Sequence, residues 1–273
     1  MSVEGEAVYG WWAALKHGGL LISPSKLSEH FPETIRPLPR FVADRLRREV
    51  TRHQNETGTK LGPMLDVVFE DILELEGAHW LKASQVGREW SEKAITGEVV
   101  RPARLWQNPT GPVLPVFTPG SGDGTRIGVG RGRRVVSRVV EWLRKSGQNV
   151  ALLTNGRQWR LIHAGVGYHA WCEWDIDFWF EAGEPGSQVT ALRILLGREA
   201  LTCPPHGEKA PLIHAIEASR SAQAELSSVL GERVRQAVEL LIRESGPAID
   251  TLQEDQGRAV RHQDIYIAAT RMI

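Results

Sequence analysis

The chain has 273 residues, with 33 Lys+Arg balanced by 33 Asp+Glu, and this length is enough for a sizeable core in about one or two domains. The two cysteines, Cys172 and Cys203, fit a reduced compartment and exclude metal-site spacing. Residues 11–22 are too short and interrupted to span a membrane, and Glu4 and Glu6 contradict a signal peptide, so the expectation is a soluble, cytoplasmic protein without a membrane partner.

Net charge says nothing about partners, but its distribution does. From Arg126 to Arg160 there are nine Lys/Arg and one acid, Glu141, whereas Asp66 to Glu76 carries five acids.

In chain order, Trp11, Trp12 and Leu15 form a short amphipathic pattern ended by Gly18-Gly19. Residues 23–40, with Pro24, Pro32, Pro37 and Pro39, read as an extended connector. Phe41 to Asn55 reads as a helix. Met64 to Glu76 is a second one, with Leu65, Val68, Ile72 and Leu75 on one stripe and Asp66, Glu70 and Glu74 at i, i+4 spacing on another. Three carboxylates in line can hold a divalent cation or simply form a solvated face.

Val99 to Trp106 and Val113 to Phe117 are strand-like, and Arg126 to Val129 is a candidate third strand after the loop Pro119 to Gly124. Arg133 to Ser146 is a strongly amphipathic helix stopped by Gly147. Gln148 to Ala164 reads as a hairpin around Asn155-Gly156 at the centre of the sheet. A two-residue turn would set Thr154 opposite Arg157 and Leu152 opposite Trp159, with Val150, Leu152, Trp159 and Leu161 on one face. Ala170 to Phe180 alternates throughout, placing Glu173, Asp175 and Asp177 on one face as metal ligands or as salt-bridge partners of Arg157 and Arg160. Trp106, Trp142, Trp159, Trp171, Trp174 and Trp179 offer base-stacking surfaces or core packing.

From Lys209 the apolar residues recur at helical spacing, from Leu212 to Ile242, up to Gly246-Pro247. Gln263 to Ile273 begins another helix and ends uncapped, which reads as a fragment of something longer.

The segment Arg126-Ile-Gly128-Val-Gly130-Arg-Gly132-Arg-Arg134 joins a strand to a helix. Its third glycine is mis-spaced for a dinucleotide site, and no acid closes the next strand. A basic, flexible loop beside a helix N-terminus suits a nucleic-acid backbone better, since phosphates take cations and bare amides. Its bland alternative is a glycine turn with solvated arginines.

The stretch Leu152-Leu-Thr-Asn-Gly-Arg-Gln-Trp-Arg-Leu161, the strand Trp171 to Phe180, the helix Leu212 to Ile242 and the tail Tyr266 to Met272 together resemble the N-terminal region of large adenine-specific DNA methyltransferases. These are the type IIG restriction-modification enzymes and the methyltransferases of DISARM-type antiphage systems. The resemblance covers Val99 to Ile273 and leaves residues 1–98 unmatched.

Strands with one helix between them, then a hairpin and a long strand, argue for an α/β core with a mixed sheet, preceded by a helical N-terminal extension and followed by long C-terminal helices; the resemblance implies restriction-endonuclease-like topology for that core. The corresponding divisions are a mainly helical region over 1–98, a nuclease-like core over 99–200 and a helical connector over 201–273. In active relatives an Asp on one strand and a Glu-x-Lys on the next hold the metal. The corresponding stretches here, 113–117 and 126–130, carry neither, and Asp123 sits in the loop between them.

No catalytic or metal-binding residue is therefore assigned, and no cofactor belongs to this chain. S-adenosylmethionine would belong only to a following methyltransferase domain, since that domain's glycine-rich loop and Asn-Pro-Pro-aromatic motif are absent. The expected role is a catalytically silent DNA-contacting or scaffolding region. Arg131, Arg133, Arg134, Arg138 and Arg157 contact phosphates of double-stranded DNA in this reading, and the methyltransferase domain or another defence-complex subunit is the protein partner. The rival readings are a working metal-dependent endonuclease using Asp123 or the 66–74 carboxylates, and a pure assembly module docking through its last long helix.

Overall fold

The computed structural model describes residues 9–56, 60–120, 122–205 and 209–256, with side chains in the last segment as far as residue 240 and at Arg243. The chain divides into two compact units, Met1–Ser219 and Arg220–Ile273.

The first unit is α/β. Its elements begin with α1 (Gly10–Ala13), β1 (Lys16–Gly18), α2 (Pro24–His30), α3 (Arg40–Asn55) and α4 (Leu61–Asp66), which runs into a π-helical segment, Val67–Ile72. Strands β2 (Trp80–Lys82), β3 (Glu92–Lys93), β4 (Val99–Val100), β5 (Arg104–Trp106) and β6 (Leu114–Phe117) precede helix α5 (Gly132–Ser146). Then come β7 (Val150–Thr154), β8 (Gln158–Gly165), β9 (Tyr168–Asp175), β10 (Phe180–Glu181), β11 (Glu184–Pro185), α6 (Ser187–Leu196) and α7 (Arg198–Leu201).

Seven strands form one mixed sheet in the order β1-β9-β8-β7-β6-β5-β2. Only β6 and β7 are parallel, as the crossover through α5 requires. Both edge strands, β1 and β2, come from the first 98 residues, whose helices share one buried core with the sheet.

The hairpin β7–β8 sits at the centre with Val150, Leu152, Trp159 and Leu161 packed on one face and Ala151, Leu153 and Ile162 on the other. Its register is Thr154 opposite Trp159 and Leu152 opposite Leu161, so the two-residue turn is replaced by a wider one. Asn155 explains this. Its Oδ1 accepts from the backbone N–H of Arg157 (3.1 Å) and Gln158 (2.7 Å), capping a loop that a tight turn could not hold. The shift is an even number of positions, which is why the faces survive.

Other expectations change too. Residues 23–40 contain a helix, α2, begun by Pro24 at its first turn. Val99 to Trp106 is two strands, and β4 pairs with β3 in a separate hairpin. The Met64 to Glu76 helix becomes π after Asp66. Its widened turns bury the consecutive Val67, Val68 and Phe69, and Phe69 stacks on Trp80 at 4.3 Å. The Ala170 to Phe180 alternation stops at Asp175, whose carboxylate caps a 3₁₀ turn by accepting from the Asp177 N–H, leaving Phe178 exposed and Trp179 buried. Arg126 to Val129 is a loop, because Gly128 and Gly130 take positive φ of 77° and 53°.

Helix α8 (Pro211–Gln256) continues through Gly246-Pro247 rather than ending there. Within the first unit its opening turns bury Leu212, Ile213 and Ile216. In the second unit Leu226, Val229, Leu230 and Leu240 are exposed along it. The Gln263 to Ile273 helix lies outside the described residues.

Candidate nucleic-acid interface

The carboxyl ends of β6 and β7 point to one end of the sheet, where α/β proteins place their ligand sites. Two loops converge there, residues 122–131 and the hairpin tip 155–157. The strand register adds Lys82 and Arg104 to the same end, opposite one another and next to Val116.

A buried polar cluster fixes the first loop. Gln158 Oε1 accepts from the Ile127 N–H at 2.9 Å, and Gln158 Nε2 donates to Glu173 Oε1 at 3.1 Å. Arg160 donates to Glu173 Oε2 through Nε (2.9 Å) and Nη2 (2.6 Å), and its guanidinium lies 3.8 Å from the Trp171 ring centroid. Asn155 Nδ2 donates to the Thr125 carbonyl at 2.8 Å. A side chain on Gly128 would meet Arg160 Nη1 at 2.7 Å, and one on Gly132 would overlap the Arg126 carbonyl. Ile127 is buried beneath.

This arrangement turns Arg126 and Arg131 outward, and the first turn of α5 adds Arg133 and Arg134. All four are exposed, and among the described residues none has a salt-bridge partner. Helix α5 also directs its positive dipole end toward the loop.

The other two arginines singled out in the sequence are paired. Arg138 bonds to Glu98 (2.7 Å) and to Asp123. Partial burial opposes its charge, but the hydrogen bonds and attraction from these acids outweigh it and raise its pKa. Arg157 pairs with Asp177 at 3.1 Å, with both side chains about half exposed, so the pair is worth little and is open to exchange. The salt-bridge alternative for the strand acids is realised: Arg160 takes Glu173 and Arg157 takes Asp177, while Asp175 lies 3.8 Å from Lys16.

The rival carboxylates are likewise engaged. Asp123 is almost wholly buried and accepts from the Gly120 N–H at 2.7 Å and from Arg138. Asp66 pairs with Arg104 at 2.6 Å, and the π turn breaks the Asp66, Glu70, Glu74 row. Among the described residues no group of three or more His, Cys, Asp or Glu is placed to hold a metal ion. Five of the six tryptophans are buried and unable to stack bases, while Trp171 lies under Arg160.

Sequence reasoning missed Arg88 and Arg101. Both are exposed and line a cleft of about 570 Å³ beside the start of β5, with no acid among its lining residues. Only the fold brings them to the same sheet end as the glycine loop. No helix among the described residues is long and apolar enough to cross a membrane. No family model, curated protein or solved structure matches this chain.

Proposed function

We propose that the chain is a DNA-contacting module that grips the phosphate backbone of duplex DNA at the basic end of its sheet. In this reading it is a nuclease-like α/β region, of restriction-endonuclease-like topology and without its own active site, that serves an adenine-specific methyltransferase of a restriction-modification or antiphage system. The observation that carries the DNA reading is a set of exposed arginines without acid partners among the described residues: Arg126 and Arg131 on a loop clamped from below, and Arg133 and Arg134 on the first turn of α5. Elsewhere at the same end, Arg104, Arg138 and Arg160 are matched by acids. Phosphate contacts of this kind position a duplex without reading its sequence, and among the described residues nothing at the site resembles a base-reading helix.

The test is duplex binding by fluorescence anisotropy over a range of salt. If about four phosphates are neutralised, log K against log[salt] should fall with a slope near −3.6, at roughly −0.9 per phosphate. Absence of binding at low salt would refute the proposal.

A second reading, a protein-assembly module, draws on the exposed Leu226, Val229 and Leu230 of α8, since such a stripe is the usual face for a partner helix. Sedimentation of the full chain distinguishes the two: a scaffold would associate without DNA and fail to bind it.

A further inference from the structure

The sheet face opposite α5 belongs to a different layer, built by α2, the π segment, α6 and α7. Between the end of α2, the end of the π segment and the α6–α7 junction lies a cavity of about 710 Å³. That is within the range of about 300–1,000 Å³ typical of small-molecule sites. Its apolar lining includes Phe31, Ile72, Leu73 and Ile194, all buried members of the core. Its charged lining is Arg36, Arg193 and Arg198 against Glu74 and Glu199.

Three features mark this cavity as more than a surface fold. Arg193 is partly buried, its Nη1 donates to the Arg36 carbonyl at 2.6 Å, and among the described residues no carboxylate lies within salt-bridge reach of it. Burial lowers its pKa, and the more distant Glu74 only partly offsets this, so the charge is under-compensated. His30 lines the same cavity, its ring 4.5 Å from that of His214, with a buried Nε2 that has no hydrogen-bond partner among the described residues. Glu74 stands in the left-handed region at φ 55°, a strained conformation of the kind found at ligand sites.

We propose that this cavity binds a small aromatic phosphomonoester, of nucleoside-monophosphate size. The guanidinium of Arg193, joined by the exposed Arg36, takes the phosphate, because planar guanidinium donors match a doubly charged oxyanion. The apolar wall around Phe31 and Ile194 receives the body of the ligand. This site does not rest on the DNA reading and uses none of its residues.

The experiment is isothermal titration of the full chain with phenyl phosphate and with AMP, using phenol and adenosine as neutral controls. Expected is saturable binding of both phosphates at about 1 mM or tighter, with the neutral compounds at least about tenfold weaker. Arg193→Gln and Arg36→Gln should each weaken phosphate binding by about tenfold. Arg36 is exposed, so Arg36→Gln should unfold at the wild-type temperature and carries the test alone if Arg193→Gln does not fold. The triple change of Arg131, Arg133 and Arg134 to Ala should leave AMP binding unaltered whether or not that protein still binds DNA. The proposal is overturned if neither phosphate saturates by about 10 mM. It is equally overturned if Arg36→Gln binds like wild type, or if the triple change removes binding and so places the phosphate on the glycine loop.

Discussion

Beneath the loop 122–131 and on its outer side, the same residue type stands in opposite electrostatic states. On the inner side Arg160 is 6% exposed and bound by Glu173; on the outer side Arg126, Arg131, Arg133 and Arg134 face solvent without acids. Burying an ion pair gives little net stability, because desolvation cancels most of the attraction, but breaking one leaves a charge stranded in the interior. The inner pair therefore acts as a device of shape. It fixes Gln158 and Ile127, and through them the direction in which the outer arginines project. The outer charges face solvent with no acid partner among the described residues, so their contribution to the fold is expected to be small.

The strongest way to break this contrast is Glu173→Ala, which strands Arg160. A loss of about 3–5 kcal/mol is expected in urea unfolding. Replacing both partners, Arg160→Met with Glu173→Leu, should cost less than the single change, since no charge is left unpaired.

Next comes Gly132→Ala. Its new Cβ would collide with the Arg126 carbonyl, a backbone atom that cannot swing away, so about 1–3 kcal/mol should be lost. Duplex binding should weaken with it, because the loop has moved.

The triple change of Arg131, Arg133 and Arg134 to Ala sharpens the comparison from the other side. Stability should stay within about 0.5 kcal/mol of wild type. The salt slope should flatten by about 2.7, at roughly 0.9 for each lost phosphate contact. A triple variant that binds duplex as wild type does would leave the outer arginines without the assigned role.

The smallest effect lies away from the loop. Burial, with the neighbouring His214 charge, lowers the pKa of His30 below 6.5. On acidification the unfolded chain takes up the proton first, so stability should fall as the pH drops below 6.5 toward the folded-state pKa. The melting temperature should follow this trend, and His30→Gln should make the dependence shallower.

What was legible in the sequence was local. Helix α5 and hairpin β7–β8 announce themselves through apolar spacing, the Gly147 stop and Asn155-Gly156, and the Asn155 side chain altered only the turn. Strands β1 and β2 have three residues each, too few for a period to register. The stretch 126–129 carries strand-forming residues, but the two positive-φ glycines override them. Of the arginines chosen for phosphate contact, Arg131, Arg133 and Arg134 emerge unpaired, while the partners of Arg138 lie at Glu98 and Asp123 beyond any local pattern. Arg88 and Arg101 carried no local signal, since only the fold gathers them into one cleft beside the start of β5.

The three-residue strand β1 has a consequence for the order in which the chain assembles. It pairs Lys16 with Glu173 and Gly18 with Trp171, closing the largest loop in the sheet, whereas β7, β8 and β9 join through short turns. Loop-closure entropy favours the local meander first, so β1 docks late although it is synthesised first. Until it does, β9 presents a bare strand edge with Trp171 above it, a template for pairing with another chain. Gly18 leaves room for the closure: a Cβ at this position would come within 2.2 Å of the Trp171 indole. Strand β1 thus works as a seal, and its loss would show first as aggregation during refolding.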